Sequence, residues 1–204
     1  LTYAMNSFIS IQNYYLETLC YKNFVFQTEV GQLVLKFTEA NFAHLIGLHH
    51  FDEKLRGYYA WGKIRNEEID IKMIKKLNQT KFKTILLPRI ETMYKINNIF
   101  IHSKVIKKFK QTTSNVFNCD LVFYNKEEKV YYVVTFFIDK STKLYCSIAS
   151  FLKFHQGDLN VMKYINPNNP EIAIYSFQVT KEEAYNLYKE ILDQIPEMIR
   201  GENI

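Results

Sequence analysis

The sequence is poor in the features that mark secreted, membrane-spanning or linker-rich chains. Among 204 residues there are three cysteines, Cys20, Cys119 and Cys146, odd in number, far apart and without a CxxC pair. That spacing argues against a disulfide framework or a zinc knuckle, and reduced core thiols in a cytoplasmic protein are expected. Six glycines and four prolines exclude a collagen-like or linker-rich chain. No apolar run approaches the ~18 residues of a membrane span, so no membrane association is expected. The chain opens at Leu1, with no basic segment followed by an apolar one, and a secretory leader is not expected. The phosphate-cradling patterns GxGxxG and GxxxxGK[ST], the nucleophile elbow GxSxG and the metalloprotease HExxH are missing too. Nucleotide-driven chemistry and a bound cofactor or metal are therefore not expected. Acid/base catalysis by a few positioned side chains remains open.

What is present is an apolar content of 48% with 16% aromatics, enough for a well-buried core in one domain over 1–204. Charge is distributed in blocks. Residues 71–110 hold eleven basic side chains against Glu91 alone, a net of +10, whereas residues 171–204 hold seven acids against three bases. Such asymmetry is an electrostatic feature that solubility alone does not require. Of the 26 basic residues only Arg56, Arg65, Arg89 and Arg200 are arginine.

Helical spacing of Phe8, Ile11, Tyr15 and Leu19 predicts a helix over 6–20, completing an N-terminal helical region over 1–24. Two short β-rich runs around Gly31 predict a hairpin over 25–36. Thr38 opens FTEANFAHLIGL, where Phe42, Leu45 and Ile46 share a helix face and Gly47 stops it. An amphipathic helix is expected over 66–77, its apolar face made by Ile69, Met73 and Leu77, and another over 84–97 starting at Pro88. From Ile99 onward IFIHSKVIKKF, CDLVFYN, KVYYVVTFFID, KLYCSIASF and EIAIYSFQV read as strands, with NKEEK a hairpin turn. Thr180 and Glu183 form a capping box for a closing helix over 180–204. The expected class is α+β, with helices packed on an antiparallel sheet of about four or five strands, a core over 25–179 and a closing C-terminal helix.

Few residues stand out chemically. His44 lies between apolar neighbours on the 41–47 helix and reads either as a satisfied, half-buried imidazole or as a catalytic or phosphate-contacting one. His49, His50 and Asp52 with His44 make an unconvincing metal cluster, because adjacent histidines diverge. Carboxylates scatter over helix surfaces and turns, and Ser147 and Ser150 lack a histidine at a recognisable spacing. The basic segment is a stronger signal. Lys72, Lys75, Lys76, Lys83, Lys104, Lys107, Lys108 and Lys110 can neutralise several phosphates, with Tyr94, Phe100 and Phe109 as ring faces, so RNA is the leading partner and a solvated helix face the alternative.

The string LKFTEANFAHLIGLHHF resembles the opening of a nuclease family of phages and mobile elements, the fourth phage-type group of the barnase, EndoU, colicin and RelE-like superfamily. Asn41, Phe42, His44, Leu45 and Gly47 carry the resemblance, and the order of elements follows it over about residues 25–155. Tyr145 and Ser150 stand where the family closes on an aromatic stretch and a hydroxyl, although Ile148 replaces its usual proline. The resemblance implies a small α+β fold and metal-independent RNA cleavage of toxin or phage-conflict type, in which an inhibitor or antitoxin protein is a further partner. It casts His44 as general acid or base, Lys36 or Arg89 as charge stabiliser and Ser150 as a phosphate donor, with His102 and His155 available as the second titrating group. A catalytically inert nucleic-acid- or protein-binding module on the same fold is the competing reading.

Overall fold

The computed structural model describes residues 7–103, 105–108 and 119–181. Helix α1 (Phe8–Thr18) starts where Ser7 Oγ accepts the Ser10 N–H at 3.1 Å, and buries Phe8, Ile11 and Tyr15. The hairpin β1 (Lys22–Thr28) and β2 (Gly31–Lys36) turns through Gly31 at φ +114°, a conformation that suits glycine. A helical stretch follows: α2 (Glu39–Ile46), a 3₁₀ turn (Leu48–His50), α3 (Gly57–Arg65), α4 (Ile71–Leu77), α5 (Gln79–Lys81), a π-helical turn (Phe82–Leu86), α6 (Leu87–Tyr94) and α7 (Ile96–His102). Strands β3 (Val105–Lys108), β4 (Leu121–Glu127), β5 (Val130–Ile138) and β6 (Tyr145–His155) come next, then α8 (Met162–Ile165) and β7 (Glu171–Lys181).

The strands form a closed barrel in the order β1-β2-β6-β5-β4-β3-β7. This overturns the expected open sheet of four or five antiparallel strands. The N-terminal hairpin joins the later strands: β1 pairs antiparallel with β7 from Lys22↔Lys181 to Thr28↔Ile174, and β2 pairs parallel with β6. Local patterning reports that a segment is a strand and not which distant edge it meets.

Two element assignments change with it. Ile96–His102 is helical rather than the start of a strand, because Ile96, Ile99 and Phe100 at i, i+3 and i+4 are all buried. Thr180 is a β7 residue opposite Asn23 and caps no helix there, and the rest of the expected closing helix, 182–204, lies outside the described residues. On α4 the buried residue is Ile74, while Met73 and Leu77 are 49% and 63% exposed, so the expected apolar face is also corrected.

Phe100 occupies the barrel interior. Its ring lies 5.5 Å from Phe24, 5.4 Å from Phe26, 5.3 Å from Phe123 and 6.0 Å from Phe177, rings supplied by β1, β4 and β7. The barrel is thus closed around a helix instead of around strand side chains alone. Strands β4 and β5 are buried on both faces: Phe123 and Val134 face this core, while Val122 and Val133 meet Cys119, Val161 and Tyr164 on the other side. Burial on two sides is why VYYVVTFFI is apolar without alternation. All three cysteines are buried and free, in line with the sequence. No helix among the described residues is long and apolar enough to cross a membrane.

The barrel has a seam. β2 pairs with β6 only over Val34–Lys36 against Tyr145–Ser147, and then turns away into α2. Beyond that point helices cover the edge of β6: Thr92 Oγ1 on α6 donates to the Leu152 carbonyl at 3.0 Å, and Lys153 pairs with Glu91.

Candidate active site

The seam is where His44 sits, and the sequence around it explains the placement residue by residue. Asn41 Oδ1 accepts the Thr38 N–H at 2.9 Å and so fixes the start of α2. Phe42 is fully buried, its ring 5.2 Å from Tyr15 and 5.5 Å from Trp61, and Leu45 is equally buried. Gly47 ends the helix at φ +83°, where a Cβ would stand 3.0 Å from Ile85 Cγ2, 3.1 Å from Arg89 Cδ and 3.3 Å from His50 Cδ2. Glycine is required there twice over, by its backbone angle and by what presses on it. Of the motif residues His44 alone is left exposed, apart from the half-buried cap Asn41.

His44 Nε2–H donates to the Ala149 carbonyl at 3.2 Å. That carbonyl is turned out of the ladder by a bulge in β6: Thr135 pairs with Ser150 and Phe136 with Ile148, so Ala149 is the extra residue. A carbonyl only accepts, so the neutral ring carries its hydrogen on Nε2 and its lone pair on Nδ1. Partial burial, then the charges of Arg89 and Arg56, hold the His44 pKa below the ordinary 6.5, against the opposing pull of the Ala149 bond. His44 is therefore a base at neutral pH, with its orientation fixed.

The Gly47 turn and the 3₁₀ segment bring two further imidazoles alongside. His49 stacks on His44 with centroids 4.6 Å apart and planes at 13°, and His50 follows at 4.1 Å from His49. Burial and the neighbouring His50, His44, Arg89 and Arg56 push His49 down to about 3, and burial with Arg89 and Lys81 lowers His50. Among the described residues, the charged side chains that lower the pKa values of the three rings are Arg89, Arg56 and Lys81. Such a cluster is suited to an anion.

Three cations frame the rings. Arg89 Nη1 donates to the carbonyls of His44 at 3.3 Å and Leu45 at 3.4 Å in the last turn of α2, where a positive charge favours the helix dipole. Burial lowers its pKa to about 10, so it stays charged at neutrality. Lys81 Nζ donates to the His50 carbonyl at 2.8 Å. Arg56 is the N-cap residue of α3, which has no side-chain cap. Arg89 follows a π turn over Phe82–Leu86 and Pro88, which lacks an N–H to continue regular pairing.

The structure thus brings His44 and Arg89 together and places Ser150, half-buried, next to the bulged Ala149. Lys36 stands at the β2–β6 pairing, its Nζ 5.4 Å from the Tyr145 ring. His102 and His155 are exposed at the ends of α7 and β6. Lys72, Lys75, Lys76 and Lys83 are exposed along α4 and the π turn. Lys107 is buried and paired with Glu171, because β3 is an interior strand between β4 and β7, so its charge is neutralised. Lys108 pairs with Leu121 through its backbone, and Lys104 and Lys110 lie outside the described residues. Sequence reasoning missed Arg56, Lys81 and the row of rings in which His49 stacks on His44 and His50 adjoins His49. The available signal was the scarcity of arginine, since Arg56 and Arg89, two of four in the chain, converge here.

Among the described residues no three His, Cys, Asp or Glu are grouped to hold a metal ion. A search of curated proteins found no match, and a search of solved structures found none either. A family model does match, over residues 9–193, which include the helical segment, the barrel strands and every residue of the His44 cluster. The motif on α2, the cationic seam and this match lead to one conclusion: the chain belongs to the phage-Barnase-EndoU-ColicinE5/D-RelE like nuclease4 family.

Proposed function

We propose that the protein is an endoribonuclease that cleaves RNA without a metal ion, using His44 as general base. The observation that carries this reading is the His44–Ala149 hydrogen bond, which leaves Nδ1 as a basic atom inside a cationic cluster. In the reaction the ribose 2′-hydroxyl loses its proton to His44 Nδ1 as its oxygen attacks the adjacent phosphorus. The bond from phosphorus to the 5′-oxygen breaks, and that oxygen takes a proton from an acid. His49 is held neutral down to about pH 3 and is unsuited to the task, which leaves His50 as the acid. A bound phosphodiester raises the His50 pKa by its own charge. Arg89 and Arg56 stabilise the extra charge on the phosphorane, a role for which the Lys36 ammonium, held over Tyr145, is less well placed. Ser150 is a phosphate donor beside the bulge, and Lys72, Lys75, Lys76 and Lys83 extend the contact to the flanking strand. The toxin or phage-conflict role, with an inhibitor protein as partner, rests on the family alone.

The test is cleavage of a mixed-sequence RNA pool in EDTA. Wild type cuts to products ending in 2′,3′-cyclic phosphate and leaves DNA, which lacks the 2′-hydroxyl, intact. His44→Ala lowers the rate by roughly 10²- to 10⁴-fold. Failure of the wild type to cut RNA under these conditions sinks the proposal and promotes an inert binding module.

A further inference from the structure

The first turn of α3 carries a feature that the cleavage chemistry does not use. Tyr58 and Tyr59 follow Arg56 and Gly57, and their side chains are 64% and 55% exposed. Backbone turns tie the 3₁₀ segment that carries His49 and His50 to the start of α3, the Asp52 N–H donating to the Leu48 carbonyl at 3.3 Å and the Leu55 N–H to the Asp52 carbonyl at 3.0 Å, so this turn lies close to the cluster. Gly57, at φ +54°, sets the sharp entry of the chain into the helix between the arginine and the tyrosines. α3 buries Ala60 and Ile64 against the core and lays Trp61 against Phe42. Tyr58 lies about 160° around the helix from Ala60, on the side turned to solvent.

The two tyrosines are not equivalent. The Lys63 ammonium lies 5.2 Å from the Tyr59 ring centroid, so one face of that ring is engaged within its own helix. Among the described residues Tyr58 has no ring or cation contact at all. A large flat ring left bare beside a cluster framed by Arg89, Arg56 and Lys81 suits a polyanion that carries a flat apolar group next to each phosphate. Nucleic acid has that chemistry, and only an unpaired strand presents its base faces freely.

We propose that Tyr58 is a stacking platform for an unpaired nucleobase, so that the His44 site acts on single-stranded RNA in preference to duplex. This inference rests on the RNA reading of the His44 cluster. Its test uses a short oligoribonucleotide made resistant to cleavage by 2′-O-methylation, the same backbone with abasic positions, and the duplex of the first strand. Wild type binds the base-bearing strand about tenfold more tightly than the abasic strand or the duplex. Tyr58→Ala reduces the base-bearing strand to the abasic level and leaves abasic affinity unchanged, Tyr58→Trp preserves the preference, and Tyr59→Ala has the smaller effect. Equal, salt-dependent binding of base-bearing and abasic strands by the wild type overturns the Tyr58 assignment alone. So does a Tyr58→Ala variant that weakens both strands alike. Absence of salt-dependent binding to either strand overturns the RNA reading as well.

Discussion

The interior around Phe100 and the seam around His44 are built on opposite principles. Inside the barrel, Phe24, Phe26, Phe123 and Phe177 meet one central ring, and strand pattern, helix pattern and burial all agree. At the seam a left-handed glycine, a π turn, a strand bulge and three adjoining imidazoles gather within a few residues of one another in the fold. Among the described residues the charged side chains that lower the ring pKa values there, Arg89, Arg56 and Lys81, share one sign. Local rules are obeyed where the protein needs only stability and are broken where a reactive group must be presented. The contrast says which kind of loss each region suffers when altered.

The largest expected effects separate the two regions directly. Phe100→Ala empties the centre of the barrel and lowers stability by about 3 to 5 kcal/mol, read as a fall in the melting temperature. His44 is exposed, so His44→Ala leaves the melting temperature nearly unchanged while activity collapses. A His44→Ala variant that melts as early as Phe100→Ala breaks the comparison, since it makes the seam a structural element.

Gly47→Ala falls between them. The left-handed angle and the crowding by Ile85, Arg89 and His50 together cost roughly 2 to 4 kcal/mol. Because Arg89 and His50 are, with Ile85, the groups the added methyl presses on, the same variant loses cleavage activity per folded molecule, a loss that Phe100→Ala does not produce in its folded fraction.

Acid sharpens the comparison further. The lowered pKa values of His44, His49 and His50 mean that below pH 6.5 the unfolded chain binds protons that the native cluster refuses. Stability contributed by the neutral cluster is complete above 6.5 and declines as pH falls toward 3. Melting measured from pH 7 to pH 4 shows that decline, and His49→Phe, which keeps the stacked ring without the titrating group, reduces it. The acid limb of kcat/KM lies below 6.5, because His44 works as a base only when neutral.

The smallest effects belong to the surface lysines. Reversing Lys72, Lys75 and Lys76 leaves melting and the cleavage step intact and weakens RNA binding at every sequence. The slope of log affinity against log salt then falls by about 2, at ~0.7 per phosphate contact on a single strand. Filter binding across a salt series measures it.

Much of the fold was legible from spacing alone. The spacing of Phe8, Ile11 and Tyr15 marked α1, Gly31 marked the hairpin, and Gly47 marked the end of α2, which was expected over 41–47 and runs over Glu39–Ile46. α7 was misread from Ile99 onward because IFIH suits a strand locally, and only the burial of Ile96, Ile99 and Phe100 at i, i+3 and i+4 inside the barrel selects the helix. At the site, His44 was visible as a polar residue among core neighbours. Arg89 was named only through the family resemblance, and Arg56 and Lys81 were not seen, since the three come from separate elements and are joined by packing alone.

The sequence by itself determined the short-range facts: where helices cap and stop, which stretches are strands, which thiols are buried, and that a histidine stands on a helix face with a glycine after it. These follow from interactions within a few residues, whose energies depend on spacing. Only the tertiary structure decided that β1 meets β7 to close the barrel and that β2 leaves β6 early enough for a bulged carbonyl to orient His44. It also decided that Lys107 is neutralised by Glu171 while Lys81 reaches the site. Those outcomes depend on contacts between residues tens of positions apart, and a linear pattern carries no record of which edges will meet.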